Sequence, residues 1–229
     1  MSLLNVDDLE TKLAKDVSWR KKEIADLTTL ALQLGDNASH ISRSGLVILC
    51  AHWEGYLKQS TQRYVEHVVA QRLKLRDLAP VFIANTFYSD VKNAASANHP
   101  GSEENHIRLA KRILRGLDEP CPQATWIINT ESNPGTGVME RILRSIGIDF
   151  KLGLNMAEWS GMKAFIDEHI VGDRHKIAHG EFHKIDSSEF ISRAGRLLSL
   201  LDRLTEVLIQ AAANRAYCTT TPTTPTLQA

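Results

Sequence analysis

Cysteine is scarce in this chain of 229 residues, and its three cysteines lie far apart without a C-x-x-C pair. Neither a disulfide framework nor a zinc site built from thiolates is therefore indicated. Such cysteine usage is typical of proteins from a reducing compartment. The cysteines are Cys50, Cys121 and Cys218.

Long apolar runs and an excess of charge of one sign are also missing. The longest apolar run, residues 45–51, is far too short for a membrane span, and residues 1–15 carry acids where a signal peptide needs an apolar stretch. We therefore expect a soluble, cytoplasmic protein with no membrane partner. Lys and Arg together number 27, as do Asp and Glu. Because nucleic-acid-binding proteins often carry a basic excess, a nucleic acid would have to be held here by a local patch.

The helical period of the apolar residues dominates the sequence. Residues 6–34 and about 39–76 each predict one long amphipathic helix. Near the end, apolar residues alternate steps of four and three, which predicts a helix with a seam for a bundle core or a dimer interface. The seam consists of Phe190, Ala194, Leu197, Leu201, Leu204, Leu208 and Ala211. We predict an all-α bundle with long antiparallel helices, as a single domain over residues 1–215 followed by a disordered Thr/Pro-rich tail, residues 216–229.

The middle of the chain is less regular. Helices are predicted over about residues 80–97, 102–117 and 136–146, with Ser102 and Thr136 as N-caps of the second and third. A short extended piece is assigned to the three residues 126–128.

Further along, a helical stripe of apolar residues reaches residue 170 and is predicted to be interrupted at Gly172. Asp186 and Glu189 have the spacing of a capping box before the last helix.

Arg174 and His179 lie between two glycines, in the interval between the stripe and the last helix. Taken alone, an Arg and a His near a helix boundary are commonly solvated or cap the helix end. Here a polar residue follows the Arg, and an apolar residue, a small residue, the His and a Gly complete the string. This order buries one side of the segment and leaves the His at a turn. The string reads Asp173-Arg174-His175-Lys176-Ile177-Ala178-His179-Gly180-Glu181.

This string resembles the R-x4-6-H motif of HEPN proteins, in which a polar residue directly follows the Arg on a helical bundle. It is similar to the RiboL-PSP branch, whose motif commonly reads R-N-x-I-A-H-G. His175 stands in place of the commoner Asn. Another branch of the family is controlled by nucleotide transfer onto a Tyr two residues after the His. Glu181 stands at that position here, so control by nucleotide transfer is not expected. Two upstream segments extend the resemblance over most of residues 15–210. They are Trp19-Arg20-Lys21-Lys22-Glu23 and His52-Trp53-Glu54-Gly55-Tyr56.

The resemblance implies an endoribonuclease that needs neither metal nor cofactor and leaves 2′,3′-cyclic phosphate and 5′-hydroxyl ends. An imidazole with a pKa near ~6.5 can serve as acid or base at neutral pH, and the fork of an Arg suits phosphate oxygens. We assign His179 as proton shuttle, Arg174 as phosphate clamp and His175 as orienter or second proton carrier. Glu54 and Asp173 are assigned as supporting residues.

RNA is the expected partner. Lys176 within the motif and four cations on one face of the helix at 102–117 are candidate phosphate contacts, although such a cluster is also typical of a solvated surface. The four are Arg108, Lys111, Arg112 and Arg115. On an ideal helix a step of five residues turns the side chain by about 140°, so Arg174 and His179 of one chain would point apart unless the backbone is irregular there, which Gly172 and Gly180 permit. The resemblance implies the alternative, a homodimer with the active site at its interface. It also implies a toxin or antiviral defence effector, with an antitoxin or defence-system protein as partner.

A zinc site is an alternative interpretation of the motif, because His175, His179 and His183 are spaced four residues apart. Lys176 stands where an H-E-x-x-H site has its Glu, and Gly180 is expected to end the helix before the third His. We therefore expect no metal.

A P-loop is absent as well, since residues 133–137 lack the G-K-S/T ending. The alternative that stays open is a HEPN-like module that binds RNA, a nucleotide or a protein without cleaving anything. Retention of both Arg174 and His179 favours catalysis.

Overall fold

The computed structural model describes residues 5–95, 103–122, 128–130 and 134–219, and these ranges contain helices and two isolated β-bridges but no β-strand. The predicted all-α class is confirmed. None of the described helices is long and apolar enough to cross a bilayer. The elements are α1 (Val6–Leu34), α2 (Ser39–Ala70), α3 (Pro80–Thr86), α4 (Tyr88–Ala95), α5 (Glu103–Gly116), α6 (Thr136–Ser145), α7 (Met156–Ala164), a π-helix (Phe165–Gly172), α8 (Asp173–Ala178) and α9 (Ser187–Ala213).

The three long helices α1, α2 and α9 pack against one another and form the body of the protein. A single 3₁₀ turn joins α1 to α2, so these two helices run antiparallel. The ring of Phe190 lies against Gly45, and Tyr56 and Thr205 share a hydrogen bond further along both helices. α9 therefore runs parallel to α2 and antiparallel to α1.

The predicted seam of α9 is confirmed as part of the core. Its first six residues are almost completely buried, and Ala211 is half-buried. Each buried Leu contributes about 2 kcal/mol through removal of its surface from water. Because this seam packs on α1 and α2 of its own chain, it is not an exposed apolar face for a dimer.

Several predicted boundaries differ from the structure. The second helix ends at Ala70 rather than near residue 76, because Arg72 adopts a positive φ of 52° and turns the chain. The segment beyond it pairs with the chain after α5, where Leu75 N donates to Glu119 O at 3.0 Å. The predicted helix over residues 80–97 is divided into α3 and α4 at Phe87, whose ring is buried.

The predicted N-caps in this part of the chain also differ. Gly135, not Thr136, holds the N-cap position of α6, and the carboxylate of Asp167 accepts hydrogen bonds from Thr136 N and Oγ1 at 2.7 and 2.5 Å. Asp186 has the extended backbone of an N-cap but makes no capping hydrogen bond. Glu189 binds Arg193 instead, and this ion pair replaces the predicted capping box.

Two predictions fall partly or wholly outside the described residues, namely the cap at Ser102 and residues 126–127 of the extended piece. At the end of the chain, Tyr217 is buried and its carbonyl accepts a hydrogen bond from Ala79 N at 2.8 Å. The packed chain thus continues to Thr219, past the predicted boundary at residue 215, and residues 220–229 lie outside the described ranges.

The contact of Phe190 with Gly45 can be tested by comparing substitutions at two glycines, Gly45 and Gly195. A Cβ on Gly45 would lie 2.6 Å from the fully buried ring, whereas one on exposed Gly195 in α9 would meet nothing within 4 Å. We expect Gly45→Ala to lower the free energy of unfolding by about 1–3 kcal/mol through overpacking. Gly195→Ala should raise it by about 0.5–1 kcal/mol through helix propensity. Urea denaturation measures both, and equal stability of the two variants would contradict this packing.

Candidate active site

The motif lies at the end of one continuous helix that runs through α7, the π-helix and α8. The prediction that Gly172 interrupts this helix is wrong, since its φ of −63° and ψ of −48° are helical. A Cβ on Gly172 would lie only 3.0 Å from the carbonyl oxygen of Asp167, so the wider winding leaves little room for a side chain here. Such π-turns occur frequently at functional sites.

The helix ends directly after the motif because of Gly180. His179 is the C-cap residue, and Gly180 has a φ of +80°, which glycine adopts without steric cost. Gly180 N donates to Ile177 O at 3.1 Å and Glu181 N donates to Lys176 O at 3.0 Å. This pair of hydrogen bonds is a Schellman motif, and it leaves the His179 side chain at an exposed helix terminus.

Arg174 and the two histidines of the motif face different surroundings. The rings of His175 and His179 are exposed, with centroids 4.2 Å apart and planes tilted by 58°. Arg174 is half-buried, and its guanidinium lies close enough to the thiol of Cys50 on α2 to lower the pKa of that thiol. Burial raises the pKa of Cys50, and the guanidinium opposes that shift. The Arg therefore faces α2, while the imidazole pair faces solvent.

The predicted supporting residue Glu54 lies one helical turn after Cys50. Its Oε1 accepts a hydrogen bond from Thr130 Oγ1 at 2.7 Å, and its negative charge adds to the rise in the Cys50 pKa. Glu54 thus belongs to the surface of α2 that receives Arg174. Cys50 was missed in the sequence, although its spacing of four from Glu54 places both on one helix face.

The other supporting residue, Asp173, is a buried carboxylate among four basic side chains. Arg193 Nη1 lies 2.8 Å away, Lys176 Nζ 2.9 Å, His183 Nε2 3.2 Å and His169 Nδ1 4.0 Å. Burial alone would raise the pKa of Asp173, but the hydrogen bonds from Lys176 and Arg193 outweigh it and hold the pKa below its usual value. Asp173 therefore anchors the motif helix to α9, and Lys176, a predicted RNA contact, takes part in that anchor.

Arg193 is the second residue that sequence reasoning missed. It is buried on α9 and donates a hydrogen bond to His169 O at 2.7 Å as well as to Asp173. The available signal was a charge three residues after Phe190, at a position of α9 that faces the core.

The stability contributed by Asp173 should depend on pH in one direction. Its folded pKa is lowered, so the contribution is complete above the unfolded value of about 3.9 and is lost as pH falls through the folded pKa. At neutral pH we expect Asp173→Asn to cost about 2–4 kcal/mol, because Arg193 loses a buried charged partner. The variant should also lose part of the acid-dependent fall in stability.

Denaturant unfolding at neutral and acidic pH measures both effects. Glu189→Gln, which removes a half-exposed partner of the same Arg193, serves as control and should cost much less. An Asp173→Asn variant with wild-type stability and an unchanged acid slope would refute the anchor.

The loop after the motif carries a second group of accessible side chains. Phe182 is 86% exposed, and the guanidinium carbon of Arg43 on α2 lies 6.0 Å from its ring centroid. Arg43 Nη2 also donates to Glu181 O at 3.1 Å, which fixes the start of this loop against α2. An exposed aromatic ring and a cation therefore flank the motif.

The three histidines compared above with a zinc site do not gather. His183 lies against Asp173, whereas His175 and His179 contact each other. In the part of the chain that the structure describes, no group of three or more His, Cys, Asp or Glu residues is arranged to hold a metal ion.

The two upstream segments that resemble the family meet at the contact of α1 and α2. Arg20 is buried there, with Nη1 3.4 Å from His52 O and its guanidinium 4.5 Å from the Trp19 ring centroid. A Cβ on Gly55 would come within 2.9 Å of Arg20, and Glu23 Oε2 lies 3.0 Å from His52 Nε2. These residues hold two core helices together.

The four predicted RNA contacts of α5 are not brought to the motif. α5 is attached to the chain that follows the C-terminal end of α2, whereas Arg174 contacts α2 at Cys50. From Cys50 to Ala70, α2 extends about 30 Å at 1.5 Å per residue.

A family model described as RiboL-PSP-HEPN matches residues 15–210, a range that contains the complete motif and most of the three long helices. No curated protein and no solved structure matches the chain significantly. The family match spans well over half of the sequence, and the helical order and the position of the motif agree with it. The chain therefore belongs to the RiboL-PSP-HEPN family.

Proposed function

We propose that the protein is a metal-independent endoribonuclease. The observation that carries the proposal is the exposed pair of imidazoles, His175 and His179, whose ring centroids lie 4.2 Å apart at the end of the motif helix. Two adjacent imidazoles suit a reaction in which one proton must leave and another must arrive. The half-buried guanidinium of Arg174 supplies a permanent positive charge at the same segment.

The side chains of His179, His175 and Arg174 are sufficient for the proposed reaction. His179 accepts the proton of a ribose 2′-hydroxyl, the 2′-oxygen attacks the adjacent phosphorus, and the bond from phosphorus to the 5′-oxygen breaks. A proton delivered to that 5′-oxygen completes the exchange, with His175 as its donor or as the group that orients His179. The products are a 2′,3′-cyclic phosphate and a 5′-hydroxyl. Arg174 stabilises the charge that develops on the phosphate oxygens, where a fixed donor is most effective.

Side chains around the motif suit an RNA strand. The exposed ring of Phe182 offers a face on which a base can stack, and Arg43 beside it can contact a phosphate. Neither contact distinguishes one RNA sequence from another, so specificity for a particular RNA would come from contacts elsewhere. On the basis of the family, we assign a role as toxin or antiviral defence effector in the cytoplasm, held in check by an antitoxin or another defence protein.

The second candidate function is binding without cleavage. The same cationic and aromatic surface would serve a module that holds RNA, a nucleotide or a protein, and the position of Arg174 beside Cys50 is compatible with a structural role for that Arg. A cleavage assay separates the two candidates.

We expect purified protein to cut single-stranded RNA in excess EDTA and to leave 2′,3′-cyclic phosphate ends, which sequencing of the ends identifies. The same sequence made with 2′-O-methyl ribose should remain intact, because it lacks the nucleophile. Loss of activity in EDTA that Zn²⁺ or Mg²⁺ restores would refute the metal-independent mechanism, and intact RNA under all conditions would favour the binding module.

A further inference from the structure

The charged face of α5 borders a cavity of about 530 Å³, and none of its described lining residues belongs to the motif. Four cations, the first followed by the others three, four and seven residues later, line it on one side: Arg108, Lys111, Arg112 and Arg115. Glu119 is the one acidic residue among its described lining residues. In a chain of zero net charge, this is a local concentration of positive charge rather than a general excess.

Three of these cations are available to a ligand. Arg112 is engaged with Asp90, at 2.7 Å between Nε and Oδ2. Among the described residues, no carboxylate forms an ion pair with Arg108, Lys111 or Arg115, and all three side chains are exposed. Long cationic side chains without a partner are suited to contact phosphate oxygens.

The cavity is held in place by packing at the C-terminal end of α5. The ring of Phe87 lies directly on Gly116, where a Cβ would be 2.6 Å from the ring. Beyond α5, Cys121 N donates to Leu73 O at 3.2 Å, and Leu75 N donates to Glu119 O at 3.0 Å. These contacts fix the cationic face relative to the segment that follows α2.

From these observations we propose that the α5 face, defined as Arg108, Lys111, Arg112 and Arg115, is a binding site for the phosphate backbone of an RNA strand, remote from the cleavage motif. The row from Arg108 to Arg115 is about 10 Å long at 1.5 Å per residue. Successive phosphates of a stacked strand lie roughly 3.4 Å apart along its axis, so the row matches several phosphates of a polymer rather than one.

The inference rests on the proposed function, because an RNA substrate is what would link this face to the motif. The stretch of α2 from Cys50, beside Arg174, to Ala70, near which α5 ends, is about 30 Å long and corresponds to roughly nine nucleotides at 3.4 Å each. The α5 face would therefore increase the affinity for long RNA and leave the cleavage of short RNA unchanged.

The test compares two charge reversals of equal size. The first variant, called the α5 pair, combines Arg108→Glu with Lys111→Glu and alters the α5 face. The second, called the control pair, combines Lys22→Glu with Lys58→Glu and makes the same change in net charge at exposed positions on α1 and α2. Binding is measured by fluorescence polarisation with a 2′-O-methyl RNA of about 20 nucleotides, which cannot be cleaved and is long enough to span both regions. We expect the α5 pair to bind about tenfold more weakly than the control pair, with a shallower dependence of affinity on salt.

Three further arms separate the explanations. Arg108→Gln with Lys111→Gln should give a smaller change in the same direction, and it keeps the test valid if the reversal does not fold. ATP in excess should not displace the RNA; displacement would mean a mononucleotide site and would overturn the proposal. If the wild-type protein cleaves RNA, the α5 pair should have a lower kcat/KM than wild type for the long RNA. For an RNA of about five nucleotides, its kcat/KM should equal that of wild type.

Equal binding by the α5 pair and the control pair would mean that the cluster is only a solvated surface. Because the 2′-O-methyl RNA is not a substrate, this result is independent of whether the protein cleaves RNA. A protein that binds through α5 but cuts nothing would refute the proposed function and leave this site standing.

Discussion

Replacing His179 by Ala is expected to lower the rate of RNA cleavage by about 10²–10⁴-fold, the range associated with one positioned acid or base. The fold should not change, since the imidazole is exposed and lies at the C-cap, where the backbone turn depends on Gly180. Binding of an uncleavable 2′-O-methyl RNA should change by much less than the rate. A loss confined to the chemical step is the expected result for a group that moves a proton.

Two other exposed histidines are compared with His179: His175 within the motif, and His40 outside it as the control. His175→Ala should also slow cleavage, by less than His179→Ala if it only orients that ring and by a similar factor if it carries a proton. His40→Ala, at an exposed position near the start of α2, should cleave at the wild-type rate. Rates are measured in single-turnover assays, with circular dichroism as a check on folding. A His179→Ala variant as fast as wild type would remove this residue from the mechanism.

The sequence was informative wherever one local rule dominated. The period of the apolar residues gave the bounds of α1 and the buried seam of α9, because an amphipathic helix records its buried face in its own spacing. The motif could be predicted for a similar reason. Its residues follow one another in the sequence, and Gly180 ends the helix through its own backbone conformation. Both features depend on neighbours in the chain.

Features that depend on contacts between distant segments were not readable in the same way. A glycine at position 172 predicts a break in the helix, yet the helix continues through Gly172, the last residue of the π-helix Phe165–Gly172. The spacing of Glu189 from Asp186 predicts a capping box, but Glu189 binds Arg193, which also binds Asp173 on another helix. Arg174 lies beside Cys50, and no spacing rule links residues so far apart in sequence.

Mixed dimers provide the strongest test of where the reacting groups come from. Arg174 faces α2 of its own chain, and His179 is exposed at the helix end, so the structure gives them different surroundings. We propose that the Arg of one chain acts with the His of its partner across a two-fold axis. Chains carrying Arg174→Ala or His179→Ala should then be inactive as homodimers. A purified dimer of one with the other should recover up to about half of the wild-type activity, because one of the two composite sites is intact.

The reciprocal dimer makes this test decisive. It pairs a wild-type chain with a chain that carries both Arg174→Ala and His179→Ala. If each site takes its Arg and His from different chains, both sites of this dimer lack one group, and it should be inactive. If each site lies within one chain, the wild-type subunit keeps a complete site, and this dimer is active while the first is not. Two tags of different sequence allow both dimers to be isolated and assayed on the same RNA. An active monomeric wild type would exclude a shared site altogether, since Arg174 and His179 of a single chain would then be sufficient.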